Sequence, residues 1–370
     1  MGGGGSIPAG HASSAVVETA ALNSHKVTPR YREKKMATRE QSEVLPYGVN
    51  DLDPVVYQPP GDRERVRCYV RGCKELLLRP RRGYVGEACP VHGIRCHYSG
   101  GAATYSYVDP RRNLIVDADL AARAAFSHPF KYDRNRYGTE KSEDALTWNV
   151  FRSLQHARLL HRVVKLVVPD ATDDEPQLFL WGLHCGQSTF EPWDLLIAAR
   201  ERFESHLPVD RPKTEPDIAL WLPGQFLILI EAKFTSSNPY YFDGPRKDAQ
   251  SLTKNELVEI YQDSELKVLN YSRAQLAKKI PYQLWRNMIF AEWMAIRAGT
   301  GEVAYHANLT CRGAEAESQS DFRCLLDRDH GRRFVVLDWE HIIERVSDAD
   351  GLCDLLAYIQ SKSRSLQKAL

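Results

Sequence analysis

No stretch of this chain stays apolar for the roughly 20 residues that a membrane-spanning helix needs, so no span of that kind is expected. The opening Met1-Gly2-Gly3-Gly4-Gly5-Ser6 and the small and polar residues up to Lys35 lack the apolar centre of a secretory leader. They read as a flexible tail, with Met36-Ala37-Thr38-Arg39 resembling a natural start. Net charge is nearly absent too. The 49 Lys and Arg stand against 48 Asp and Glu, so whole-chain charge gives no reason to expect a polyanionic partner. No internal repeat is evident. What remains is a globular composition, 43% hydrophobic and 26% charged over 370 residues. That length holds one large domain, or one domain and a small module. A cytoplasmic location without a membrane is the expectation.

Cysteine is unevenly placed. Cys68, Cys73, Cys89 and Cys96 fall within 29 residues, together with His92 and His97. A reducing compartment does not sustain disulfides, so clustered Cys and His point to a metal. The spacing Cys68-x4-Cys73, fifteen residues, then Cys89-x2-His92 gives two knuckles and four soft ligands. That set suits a closed, tetrahedral, structural Zn²⁺ site. By spacing alone, Cys96 or His97 can replace one of the four. The site would fold a zinc-ribbon-like or treble-clef-like module too small to build a core of its own. The other cysteines, Cys185, Cys311, Cys324 and Cys353, are isolated and read as buried thiols. The same segment is locally basic, with Arg63, Arg65, Arg67, Arg71, Lys74, Arg79, Arg81, Arg82 and Arg95 against Glu64, Glu75 and Glu87. This run fits a nucleic-acid backbone and fits a solvated face equally well.

The most informative segment is Thr214-Glu215-Pro216-Asp217-Ile218-Ala219-Leu220, Trp221-Leu222-Pro223-Gly224-Gln225, and Phe226-Leu227-Ile228-Leu229-Ile230-Glu231-Ala232-Lys233. It reads as two strands joined by a Pro-Gly turn. Symmetry about Gly224 sets Asp217 opposite Glu231, and alternation puts Glu231 and Lys233 on the face of Leu227 and Leu229. The apolar run predicts a central strand buried on both faces. Charges at its end must be paired, solvated or bound to metal. Upstream, Ser142 offers an N-cap to a helix in which Leu146, Val150 and Leu154 recur on one face and Glu143 opens the same stripe.

Pro216-Asp217, thirteen residues, then Glu231-Ala232-Lys233 resembles the PD-(D/E)XK nuclease superfamily, the restriction-endonuclease-like fold. The resemblance covers roughly residues 140 to 300. It implies an α/β architecture, a mixed sheet flanked by helices with the site at one sheet end. The implied chemistry is metal-dependent phosphodiester hydrolysis, with DNA as the expected substrate. Asp217 and Glu231, assisted by Glu143 and the carbonyl of Ala232, would hold Mg²⁺ or Mn²⁺. Lys233 would orient or deprotonate the attacking water, or neutralise developing charge. Gln283 and Arg286, on a helix opening at Tyr282, would touch substrate phosphate. A homodimer is compatible with this reading. The alternative is a catalytically silent nucleic-acid-binding or adaptor protein on the same fold.

The expected organisation is a disordered extension over 1–43, a basic zinc-binding module over 44–125 and a nuclease-like domain over 126–370. Further expectations are strands at Asn113–Val116, Leu178–Leu183, Val303–Leu309 and Phe334–Leu337. Helices are expected from Trp193 to Phe203, over much of 254–280 and from Gly351.

Overall fold

The computed structural model describes residues 65–78, 86–99, 102–126, 136–207, 213–242, 253–261, 266, 270, 279–299, 301–360 and 362. Two antiparallel hairpins come first: β1 (Arg65–Arg67) with β2 (Leu76–Leu78), and β3 (Ile94–Ser99) with β4 (Ala102–Tyr107). Their core is small, built on Cys68, Val70, Leu77, Cys89, Ile94, Tyr105 and Tyr107. The second hairpin leans on the segment around Thr139. Ser106 bridges to Thr139, and the Glu140 amide donates to the Tyr105 carbonyl at 3.1 Å.

Asn113–Val116 is not the expected strand. A 3₁₀ turn spans Pro110–Asn113, and the Ile115 amide donates to Asn149 Oδ1 at 3.0 Å instead of to a neighbouring strand. Then come α1 (Ala118–Phe126), α2 (Glu143–His156) and α3 (Leu160–Val167). Leu114, Ala118 and Ala121 belong to the main core, beside Leu146, Val150 and Leu154 of α2. The N-cap of α2 forms as read, with Ser142 Oγ accepting from the Ala145 amide at 3.0 Å.

The remaining elements in chain order are β5 (Gln177–Leu180), β6 (Leu183–Cys185), β7 (Phe190–Pro192), α4 (Asp194–Glu204), β8 (Ile218–Leu222) and β9 (Phe226–Ala232). They continue through β10 (Tyr240–Phe242), α5 (Lys254–Tyr261), β11 (Lys279–Pro281) and α6 (Tyr282–Ala298). The last are β12 (Val303–Thr310), α7 (Ala316–Leu325), α8 (Arg328–Arg333), β13 (Phe334–Asp338), α9 (Trp339–Val346) and α10 (Cys353–Gln360). Much of 262–278 lies outside the described residues. The run Leu178–Leu183, expected as one strand, is folded in two by a turn at Trp181 (φ 54°) and Gly182 (φ 78°).

Seven strands form one mixed sheet in the order β13-β12-β9-β8-β5-β6-β7. The β9, β12 and β13 strands run parallel, and the β9-to-β7 side is antiparallel throughout. All seven residues of β9 are buried. Its Ile228, Ile230 and Ala232 face a core shared with α2, α3, α9 and α10. Its Leu227 and Leu229 face the other core, with α4, α5, α6 and α7. The protein is thus an α/β fold with helices on both faces of the sheet. Of the four isolated cysteines, Cys185 and Cys311 are buried, whereas Cys324 and Cys353 are exposed on the short helices α7 and α10. No helix among the described residues is long and apolar enough to cross a membrane.

Candidate active site and metal centre

The β8–β9 hairpin closes as its sequence symmetry requires. Gly224 takes φ 78°, and the Gln225 amide donates to the Leu222 carbonyl at 3.0 Å. Pairing runs from Leu222 with Phe226 to Ile218 with Ile230, so one step further out Asp217 stands across from Glu231. Asp217 Oδ2 accepts from the Ala232 amide at 2.9 Å. The lead-in to Asp217 is held from behind by buried Glu204 of α4. Glu204 accepts from the Thr214 amide (2.8 Å), the Thr214 hydroxyl and the Tyr261 hydroxyl (2.8 Å).

Glu231 is buried, with one protein donor on each carboxylate oxygen. Lys233 Nζ donates to its Oε1 at 2.6 Å, and Asn287 Nδ2 of α6 donates to its Oε2 at 2.7 Å. Burial alone would raise the Glu231 carboxyl, but Lys233, Arg286 and Asn287 bring it below the usual carboxylate range. Burial likewise works against the Lys233 ammonium. Glu231, Asp217 and Glu143 together outweigh it and hold Lys233 above the usual lysine range. Its backbone is fixed on both sides, with the amide donating to Leu309 O at 2.7 Å and the carbonyl accepting from Trp339 Nε1 at 2.9 Å.

Glu143, in the first turn of α2, reaches the exit of the same strand. Its Oε2 accepts from the Phe234 amide at 2.7 Å and from Ser236 Oγ at 2.8 Å. Asp144 beside it is buried. Gln283 lies one helical turn before Asn287 on α6, half-buried and without a hydrogen bond among the described residues. Thus Glu143, Asp217, Glu231 and Lys233 meet at one end of the sheet, and Gln283 stands on the helix bordering it. The three carboxylates are each engaged by protein donors and share one ammonium.

Sequence reasoning missed Asn287, Glu204 and Trp339. Asn287 had a usable mark, a polar residue inside the Leu284, Met288, Ala291 stripe. Glu204 and Trp339 had none, because their partners lie 10 and 106 residues away.

Cys68, Cys73, Cys89 and His92 form a second centre, their ligand atoms all within 4.8 Å of one another. His92 Nδ1 stands 3.6 Å from Cys68 Sγ and 3.5 Å from Cys89 Sγ, and the Cys73 and Cys89 sulfurs are 4.0 Å apart. Zinc bonds of about 2.3 Å to sulfur and about 2.0 Å to nitrogen give tetrahedral edges of about 3.5–3.8 Å, so the set fits Zn²⁺. Burial and the neighbouring thiols of Cys89 and Cys73 push the Cys68 thiol up to about 12, the crowding that a bound cation relieves. Gly72 (φ 76°) and Gly93 (φ 60°) turn the two knuckles. Cys96 is not in the group, and its sulfur accepts from the Tyr69 hydroxyl at 3.3 Å. The His97 side chain lies outside the described residues. Arg65, Arg67, Arg71 and Lys74 are exposed around this centre, and Arg79, Arg81 and Arg82 fall outside the described residues.

A family model described as Restriction Endonuclease associating with ARP matches residues 138–362. The chain belongs to this family. No curated protein and no solved structure shows significant similarity to it. The family span contains Glu143, Asp217, Glu231, Lys233 and Gln283, and it begins after the Cys₃His group.

Proposed function

We propose that this protein is a divalent-metal-dependent nuclease, with DNA as its substrate and the site at the end of β8 and β9. One observation carries the reading. Three carboxylates and one ammonium converge where the central buried strand ends, in a chain of a restriction-endonuclease-associated family. The donors suit Mg²⁺ or Mn²⁺, since the Glu143, Asp217 and Glu231 carboxylates and the Ala232 carbonyl are all hard oxygens. The buried, unpartnered Asn287 Oδ1 beside Glu231 fits a site that accepts further polar groups. Bound there, a divalent ion would polarise the phosphoryl oxygens and make a coordinated water more acidic.

The chain's own residues supply the rest. Lys233 stays charged at neutral pH, so of the roles expected for it, orienting the water and neutralising charge are favoured over taking a proton. Asn287 fixes the Glu231 carboxylate, and Gln283 lies within reach of substrate along the same helix. The water oxygen bonds to phosphorus as one ester P–O bond breaks. The proton is lost to solvent, and the leaving oxygen is reprotonated.

The Cys₃His centre would hold one structural zinc, in keeping with a reducing, cytoplasmic setting. Its exposed arginines would follow the nucleic-acid backbone, and the family's description adds an associated ARP as partner. A silent, nucleic-acid-binding role is the second reading, favoured by one fact: each carboxylate already has protein donors. Incubation with circular and linear DNA and with RNA, with Mg²⁺, Mn²⁺ or chelator, separates the two. The wild-type protein should cleave only with metal. Asp217→Asn, which can still accept from the Ala232 amide, should fold normally and cleave nothing. Cleavage undiminished in Asp217→Asn would overturn the assignment.

A further inference from the structure

The segment after β12, Cys311-Arg312-Gly313-Ala314-Glu315, puts a glutamate where a helix more often has a Ser, Thr, Asp or Asn cap. Glu315 does not cap α7. It takes φ 57°, a left-handed backbone that is strained for a residue with a long side chain, and its carboxylate serves other elements. Oε1 accepts from the Asn238 amide, and Oε2 accepts from Asn238 Nδ2 and, at 3.3 Å, from Asn308 Nδ2. Hydrogen bonds to a carboxylate are the stronger kind. Both asparagines are buried, and Asn238 Nδ2 also reaches Asn308 Oδ1 at 3.2 Å.

The two asparagines border the carboxylate site. Asn308 is the β12 residue paired with Glu231. Asn238 ends the loop that leaves β9 after Lys233. Phe234 and Asn238 are its buried ends, and Thr235, Ser236 and Ser237 between them are exposed. Two donors of this loop hold Glu143 Oε2, the Phe234 amide at 2.7 Å and Ser236 Oγ at 2.8 Å. The near end of the loop is fixed where the Lys233 backbone bonds to Leu309 and Trp339. At the far end, Glu315 holds Asn238 by backbone and side chain, and the Tyr282 amide donates to the Pro239 carbonyl at 3.3 Å. Exposed residues between anchors have few contacts of their own, so the loop keeps one shape only while both ends are held.

We infer that Glu315 is a positioning residue for the carboxylate cluster: it fixes the far end of the 234–238 loop, and the loop orients the Glu143 carboxylate beside Lys233. The consequence for metal rests on the nuclease reading, whereas the positioning itself does not. Glu315→Gln keeps size and shape but sets an amide NH₂ against N–H donors, so the loop should loosen with the fold intact. Hydrogen–deuterium exchange on the full-length protein reads this directly. Peptides covering 234–238 should exchange faster in Glu315→Gln, and those within β9 and α2 should not. Mn²⁺ binding, followed by electron paramagnetic resonance, should weaken by about tenfold in Glu315→Gln. In a Glu143→Gln background the same change should cost nothing further, because the charge it positions is gone. Cleavage at saturating Mg²⁺ should stay within about threefold of wild type, since the ion then orders the site itself. Faster loop exchange in a protein that cleaves nothing would leave the role of Glu315 standing and sink the nuclease reading. Unchanged exchange in an active nuclease would overturn the inference and spare that reading. Equal loss of Mn²⁺ affinity with and without the Glu143 charge would also overturn it.

Discussion

Burial gives single side chains their meaning here. Lys233 and Glu231 are both nearly inaccessible, so removing the ammonium strands a carboxylate in the core. Breaking such a pair costs about 3–5 kcal/mol. Lys233→Ala should therefore cost stability as well as activity, whereas Asp217, half-buried and accepting from the Ala232 amide, is the cleaner target for substitution. His306 on β12 shows the same physics in a titration. It is fully buried, with Nδ1 2.9 Å from the Leu229 carbonyl. Burial pushes its pKa down to about 4, while the Leu229 carbonyl and Glu231 pull the other way. The unfolded chain then takes up this proton near pH 6.5 and the folded chain only near pH 4. The associated stability is complete above pH 6.5 and is lost as pH falls toward 4, by about 3 kcal/mol in all. Denaturant unfolding at pH 7 and pH 4.5 should show a smaller acid loss in His306→Gln than in the wild type. Equal losses would mean that His306 is not held neutral.

Single elements show which signals reach the sequence. The β8–β9 hairpin was legible because its turn, its alternation and its terminal charges all lie within 20 consecutive residues, Thr214 to Lys233. The cap on α2 and its Glu143 were legible for the same reason. Two apolar runs misled. At Asn113–Val116 the backbone is satisfied by Asn149, which takes the Ile115 amide and gives to the Asn113 carbonyl from 34 and 36 residues away. Nothing local announces that. At Leu178–Leu183 the break was visible in Gly182, but the apolar residues around it outweighed the glycine. Gly182 takes φ 78°, and a Cβ there would lie 2.5 Å from Leu196 Cδ2 of α4. Gly182→Ala should therefore destabilise the protein by roughly 1–3 kcal/mol, seen as a lower denaturation midpoint. A midpoint within error of wild type would show that the turn relaxes freely.

At the scale of the whole molecule, the Cys₃His module is joined to the helix that carries Glu143. Asn113 Nδ2 donates to the carbonyls of Tyr137 and Thr139 at 2.6 and 2.9 Å, and Glu140 hydrogen-bonds to β4, three residues before Glu143. The module's order should thus bear on the carboxylate cluster. Purified protein should carry about one zinc per chain, lost in Cys68→Ser or Cys89→Ser and kept in Cys185→Ser. Equal zinc in all three would mean a different ligand set. The central claim is that the cluster places a divalent ion against a phosphate oxygen. DNA with phosphorothioate linkages of Rp and, separately, of Sp configuration tests it, because sulfur binds Mg²⁺ poorly and Mn²⁺ better. Mg²⁺-supported cleavage should fall by about tenfold or more on the DNA whose sulfur faces the ion, and Mn²⁺ should restore it. Cleavage indifferent to the metal, or persisting in chelator, would contradict it.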